Sequence, residues 1–241
     1  MIALNKITKK YGSMQAVTNL TLHIPRGEIF GFIGPNGAGK TTTIKMMGGV
    51  LMPTSGTIRI CGIDMKTDPE AAKKCIGFIP DRPYLYEKLT GLEFLHFIAD
   101  HYHVDPKRFP EKAYNNLKLF SLADWANELI ESYSHGMKQR LIMAAALMHD
   151  PEVLIVDEPM VGLDPIGIKL IKDLFKQLAQ NGTAIFLSTH TLQVAEDLCH
   201  RIGIIAKGKL IATGSPRELK QAFQGVNTDL EEIFLKLTHD E

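Results

Sequence analysis

The chain has 241 residues, enough for one sizeable α/β core with a smaller subdomain but cramped for two domains with separate cores. Its 27 Lys and Arg balance its 27 Asp and Glu, so no net field draws it to nucleic acid or an acidic membrane, and any phosphate chemistry must be local. Cys61, Cys75 and Cys199 show neither paired metal-ligand spacing nor an even disulfide count and read as three reduced, buried thiols in the cytosol; there is no apolar run of the ~18 to 20 residues a membrane span needs, and the N-terminus lacks the charged and apolar regions expected of a signal peptide.

Residues 1 to 24 alternate apolar and polar around Ile2 to Ile7 and Leu20 to Ile24, which predicts an antiparallel layer. The apolar run Ile29 to Ile33, flanked by turn residues, predicts a buried strand of a mostly parallel sheet. It leads into Gly34-Pro35-Asn36-Gly37-Ala38-Gly39-Lys40-Thr41, after which Ile44, Met46 and Met47 fall on a helix. This is the phosphate-loop pattern in its strand-loop-helix setting. Its four fixed positions would match by chance in roughly one chain in a hundred of this length. Glycines let successive N–H groups turn inward around a β-phosphate, and the helix N-terminus adds a positive dipole end. Lys40 would bridge β- and γ-oxygens, the Thr41 hydroxyl would ligate Mg²⁺, and Thr42 would reach the α-phosphate.

Ile76 to Ile79 predicts the next core strand. From Pro83 to Asp150 the strand signal disappears. Leu92, Leu95, His96 and Ala99 recur at helical spacing, as do Leu141, Ala145 and Met148, which predicts a helical insertion between two core strands. Within it Tyr133 to Arg140 reads Tyr-Ser-His-Gly-Met-Lys-Gln-Arg, a polar, glycine-containing helix start with Ser134 as N-cap. Val153 to Val156 forms another buried strand and ends in Asp157-Glu158, which should face the phosphates because ligands bind beyond the carboxyl ends of such strands. Successive strand residues point to opposite sides, so the two acids divide the work. Asp157 would hold Mg²⁺ and Glu158 would act as general base on the attacking water. Asp164 precedes Pro165 and reads as a helix cap.

Ala184 to Leu187 predicts a further strand, and Ser188-Thr189 carry it to His190. An imidazole there could donate to a γ-phosphate oxygen, although a lone strand-end histidine is as often structural. Ile202 to Ala206 and Lys209 to Thr213 flank Lys207-Gly208 as a hairpin. Ser215-Pro216-Arg217-Glu218 is a capping box opening a short helix, and Thr228 with Glu231 repeats the box. Leu230, Ile233, Phe234 and Leu237 then form one apolar face, for packing on the domain or for a dimer contact.

In this order the motifs resemble the nucleotide-binding subunit of ATP-binding cassette (ABC) transporters over nearly the whole chain. The matching stretches are the phosphate loop Gly34 to Thr42, the signature Tyr133 to Met137, the acidic strand Val153 to Glu158, the Gly162-Leu163-Asp164 loop and His190. The resemblance implies a P-loop NTPase core with an antiparallel β layer and an inserted α-helical subdomain. That is one domain over 1–241, with 1–82 and 151–241 as core and 83–150 as helical subdomain. It implies ATP and Mg²⁺ as ligands, Tyr11 stacked on adenine with Val17 in the nearby apolar contact, and catalysis by Lys40, Glu158 and His190. Ser134, His135, Gly136 and Asp164 of one subunit would close on ATP held by the loop Asn36, Gly37, Ala38, Gly39, Lys40, Thr41 and Thr42 of another; for Ser134 and Asp164 the cap reading stands beside this one.

Three departures from the family pattern stand out. Asp81 occupies the place of the usual glutamine that contacts Mg²⁺ and the lytic water. Tyr133, His135 and Met137 replace the common leucine, second glycine and glutamine. Gly162 replaces a small serine or alanine. The tail Asp229 to Thr238 is similar to the ending of bacterial drug- and lipid-exporter ATPases. The function implied is an ATPase at the cytoplasmic face of the membrane, dimerising with an identical or a related subunit around two MgATP. It would drive a separate permease engaged through residues Asp81 to Phe97, where aromatic packing inside the helical subdomain is the alternative. The other class compatible with the motifs is a soluble non-transport ABC ATPase on a macromolecular complex. Nucleic acid is not expected as a partner.

Overall fold

The computed structural model describes residues 1–82, 84–222 and 230–239. Pro83 and Thr228, on which two of the expectations above fall, and Asp229 lie outside the described residues. The N-terminal alternation folds as β1 (Ile2–Tyr11) and β2 (Met14–Ile24), antiparallel to one another. After β3 (Ile29–Ile33) and α1 (Lys40–Met47) come β4 (Ser55–Ile60) and the short β5 (Ile63–Asp64), completing a four-stranded antiparallel sheet in the order β2-β1-β4-β5. Next follow α2 (Pro69–Lys74) and β6 (Ile76–Ile79). The described chain from there to β7 (Val153–Asp157) has no strand: it forms α3 (Gly91–His101), α4 (Phe109–Leu119), two short 3₁₀ turns and α5 (His135–Ala146). The remaining elements are α6 (Pro165–Gln180), β8 (Ala184–Thr189), α7 (Leu192–Leu198), β9 (Arg201–Ala206), β10 (Lys209–Gly214), α8 (Pro216–Ala222) and α9 (Leu230–His239).

The second sheet runs β10-β9-β3-β8-β7-β6, parallel except for the terminal β10. Its central strands are buried on both faces, which is why they read as continuous apolar runs. Phe30 and Phe32 point to the antiparallel sheet and α1, where they meet Phe186 at 6.0 and 5.2 Å between ring centroids. Ile29 and Ile33 point the other way, into a core continuous with α3, α4, α5 and α6. The helices between β6 and β7 therefore share one apolar core with the sheet.

Local signals act where they were expected. Lys207 and Gly208, at φ +45 and +77, make the two-residue turn between β9 and β10, the primed geometry that matches strand twist. The Ser215 N–H donates to Glu218 at 2.7 Å while the Glu218 N–H donates to the Ser215 hydroxyl at 3.2 Å. Leu230 and Ile233 of α9 are fully buried, with Phe234 and Leu237 packed on the same core, so this face covers the domain.

Candidate active site

The parallel sheet delivers its carboxyl-end loops to one edge. There the β3–α1 loop takes left-handed backbone at Gly37 and Gly39, at φ +79 and +109, a region that glycine enters without penalty. A side chain at Gly39 would also lie 2.6 Å from the Ala16 carbonyl. Gly39 is the N-cap of α1 and supplies no side-chain hydrogen bond, so the first N–H groups of the helix are left for an anion. Lys40 is nearly buried, its ammonium donating to the carbonyls of Gly34 at 2.6 Å and Pro35 at 3.2 Å. Burial lowers its pKa, against the pull of the Glu158 and Asp157 carboxylates.

A cleft of about 420 Å³ opens over this loop, lined by Tyr11, Met14, Gln15, Ala16, Asn36, Gly37, Gly39, Lys40, Thr41, Thr42, Lys207 and Gly208. The Tyr11 ring is half exposed at its rim, with the Lys9 ammonium 5.4 Å over its centroid. Val17 is fully buried beneath Gly39, and its neighbour Ala16 is the one that lines the cleft. Ala38 is buried as well and accepts from the Gly208 N–H at 2.9 Å.

At the end of β7 the two acids diverge. Asp157 is 5% exposed and accepts from the Ser188 hydroxyl on β8, its register partner. Burial raises its pKa; Asp81 and Glu158 add to that, while the Ser188 hydrogen bond and Lys40 oppose it. Thr41, Asp81 and Asp157 line one common cavity. A hydroxyl and two carboxylates are hard oxygen donors, and the crowding of like charges there is what a divalent cation relieves, so the set fits Mg²⁺. Glu158 instead leaves the strand at φ +50, its N–H donating to the Ser188 carbonyl at 3.1 Å. Its Oε1 lies 2.9 Å from His190 Nδ1. This contact between the two residues does not follow from the sequence, which directs Glu158 to the attacking water and His190 to a γ-phosphate oxygen. Strain of this kind at a non-glycine residue persists where the surroundings fix it.

The signature residues sit apart from the cleft. Tyr133 is buried, donating its hydroxyl to the Trp125 carbonyl at 2.6 Å. Ser134 is exposed and caps α5, accepting from the Met137 N–H at 3.3 Å. The exposed His135 ring covers Gly162, where an added Cβ would lie 2.4 Å from His135 Cδ2. Two of the departures in the sequence are therefore one packing arrangement: the ring occupies the space that a serine or alanine at 162 would need. Asp164 caps α6 through the Gly167 N–H at 2.8 Å. Ser134, His135, Gly136 and Asp164 are absent from the cleft lining, so the structure does not bring them to the phosphate loop of their own chain.

The sequence predicts the Lys207-Gly208 turn and passes through Ser188, but gives neither a place at the site, where the turn lines the cleft and Ser188 holds Asp157. The Ser188 signal is its place between a buried strand and His190; the turn is sewn to the site by the Thr18 N–H donating to Gly208 at 2.8 Å, a tertiary contact without a sequence mark.

The family model described as "ABC transporter" matches residues 17–161. The probable multidrug ABC transporter ATP-binding protein YbhF of Escherichia coli is 36% identical over 100% of this chain, which spans only 42% of that protein. The bacitracin transport ATP-binding protein BcrA of Enterococcus faecalis is 41% identical over 91% of this chain and 70% of its own length. Among solved structures, an ATP-binding subunit of an ABC transporter superposes with a TM-score of 0.93 at 31% identity, covering 98% of this chain and 99% of that one. The dimeric bacterial cassette MJ0796 superposes with a TM-score of 0.82 at 28% identity, covering 89% and 98%.

Proposed function

The chain belongs to the ABC transporter family and has the ABC ATPase fold, and from that premise we propose that it is the ATP-hydrolysing subunit of an exporter, pairing with a second cassette around two MgATP to drive a separate transmembrane permease. The observation that carries this reading is the separation of two parts of the site: a phosphate cleft whose lining lacks Ser134, His135, Gly136 and Asp164, and a helix start that leaves Ser134 and His135 exposed away from it. Each is completed by the other's copy, which agrees with the dimeric state of the MJ0796 cassette.

In this reading the loop N–H groups and Lys40 hold the β- and γ-phosphates, while Tyr11 and Ala16 offer an aromatic face and an apolar patch to the base. Thr41, Asp157 and Asp81 would hold Mg²⁺, which when bound neutralises charge on the transferred phosphoryl group. Glu158 accepts a proton from the attacking water, and His190 orients that carboxylate through the 2.9 Å contact before turning its ring towards the γ-phosphate. Ser134 and the first N–H groups of α5 close on the same phosphate from the partner.

The permease contact falls on the surface around α3. Phe78, Pro80, Tyr84, Phe94, Ile98 and Ile142 line an apolar cavity of about 220 Å³. Tyr84 is 83% exposed beside it, and Tyr86 and Phe97 meet edge to face at 5.4 Å. These aromatics lie at the surface, as a groove for a permease helix requires. Among the described residues no helix is long and apolar enough to cross a membrane, so attachment to the cytoplasmic face would come from that partner. The export direction rests on the name of a relative, the Nod factor export ATP-binding protein I of Paraburkholderia xenovorans, 37% identical over 97% of this chain and 76% of its own length.

The test is Glu158→Gln. The variant should still bind ATP and form an ATP-dependent dimer while turning over at least ~100-fold more slowly. Near-normal hydrolysis would refute the assignment of the base, and the absence of any ATP-dependent dimer would refute the pairing of the two parts.

A further inference from the structure

The sequence reads all three cysteines as buried thiols, but only Cys199 is; Cys61 and Cys75 are half-buried where folding brings them together at the amino ends of β6 and β7, the sheet edge opposite the phosphate loop. Cys61, Cys75 and Glu152 place their ligand atoms all within 4.8 Å of one another. We propose that these three side chains form a binding site for a thiophilic divalent cation, with Zn²⁺ as its chemical type, that staples the antiparallel layer to the parallel sheet.

Each donor comes from a different element with a fixed backbone. Cys61 opens the two-residue turn between β4 and β5, at φ +53 with Gly62 at +83. Such turns favour Asn-Gly or Asp-Gly, so a cysteine there has no local conformational reason. Its N–H donates to the Met1 carbonyl at 2.7 Å. Cys75 is the C-cap of α2; its carbonyl accepts from the Val153 N–H at 3.0 Å and its thiol donates to the Ala71 carbonyl at 3.6 Å. Glu152 precedes β7, its carbonyl held by the Ala184 N–H at 3.0 Å. Anchored backbones of this kind preorganise a ligand set.

The chemistry is matched as well. Tetrahedral ligation with Zn–S near 2.3 Å and Zn–O near 2.1 Å puts donor atoms about 3.5 to 3.8 Å apart, a contraction that side-chain rotation supplies. Two thiolates select a soft or borderline cation over Mg²⁺. Both thiol protons leave as the sulfurs ligate, and the exposed carboxylate of Glu152 gives the cation an entry side, with water as fourth ligand. The proposal is independent of the ATPase reading, because none of the three residues lines the phosphate cleft.

The experiment is a Zn²⁺ titration of the full chain, nucleotide-free, stripped by a chelator and kept reduced by a phosphine. One equivalent should bind, and the Cys61→Ser, Cys75→Ser double variant should lose it. Glu152→Gln should weaken uptake by ~10-fold or more. A measurement that needs no variant is thiol alkylation: Zn²⁺ should slow labelling of Cys61 and Cys75 in the unaltered protein. Absence of saturable uptake, equal uptake by the double variant, or unchanged labelling rates would each overturn the proposal.

Discussion

Tyr133 is buried with its hydroxyl bonded to the Trp125 carbonyl, which makes a sharp prediction with Gly91. An alanine at 91 would bring its Cβ to 2.4 Å from Tyr133 Oη, with Cζ 3.4 Å away and the Ala126 carbonyl 3.5 Å away. Gly91 opens α3 with φ in the ordinary negative range, so only the oxygen forbids a side chain. In the native background Gly91→Ala must push the ring aside and stretch the 2.6 Å bond to Trp125. Overpacking costs about 1–3 kcal/mol. With Tyr133→Phe the nearest contact becomes the ring carbon at ordinary distance, and alanine then gains up to about 1 kcal/mol of helix propensity over glycine. Tyr133→Phe alone should cost about 0.5–1.5 kcal/mol, at the mild end because the Trp125 carbonyl keeps the Glu128 N–H at 3.0 Å. Gly91→Ala should therefore destabilise the native chain and stabilise the phenylalanine variant, a coupling of roughly 2 kcal/mol. Urea unfolding of the four proteins measures it. The same sign in both backgrounds would refute the packing argument.

The His135–Gly162 arrangement predicts that Gly162→Ala displaces the ring and adds the penalty of a side chain at φ +78, about 1–2 kcal/mol for left-handed backbone. His135→Ala should relieve only the steric part, so a thermal-melt cycle with purely additive shifts would count against the contact. His190→Ala should free the Glu158 carboxylate from its 2.9 Å partner and lower turnover by ~100-fold or more with ATP binding kept; unchanged turnover would remove the imidazole from the mechanism. His149 stacks on Tyr102 at 3.7 Å and contacts the Ile76 carbonyl at 3.0 Å, and burial lowers its pKa. The folded state then holds fewer protons than the unfolded one, so stability is complete above pH ~6.5 and falls as pH drops below it towards the lower folded value. His149→Phe should flatten that slope in urea midpoints measured from pH 7 downwards, and parallel slopes would refute it.

Much of the molecule is written locally. A strand buried on both faces needs an apolar run, and Ile29 to Ile33, Val153 to Val156 and Ala184 to Leu187 supply it. The phosphate loop is legible because glycines, a lysine and a threonine must follow one another where strand becomes helix. Periods of two and of 3.6 separate the antiparallel layer from the helical stretch before β7. Caps at Ser134, Asp164 and Ser215 need only a residue and its near neighbours.

What the chain order could not hold are contacts between distant segments. The pairing of Glu158 with His190, the placing of Ser188 against Asp157, the His135 ring over Gly162 and the turn at Gly208 closing the cleft all join residues whose separation carries no period. Ala16 in place of Val17 at the cleft was decided by which face of β2 the loop covers. The cysteines make the same point: Cys61 and Cys75 have no ligand spacing, and only the docking of one sheet on the other sets them beside Glu152. The sequence by itself determined the elements and the chemistry that each loop carries, because those depend on neighbours along the chain. Tertiary structure alone decided which of those groups touch, because that depends on how two sheets and a set of helices fill one core.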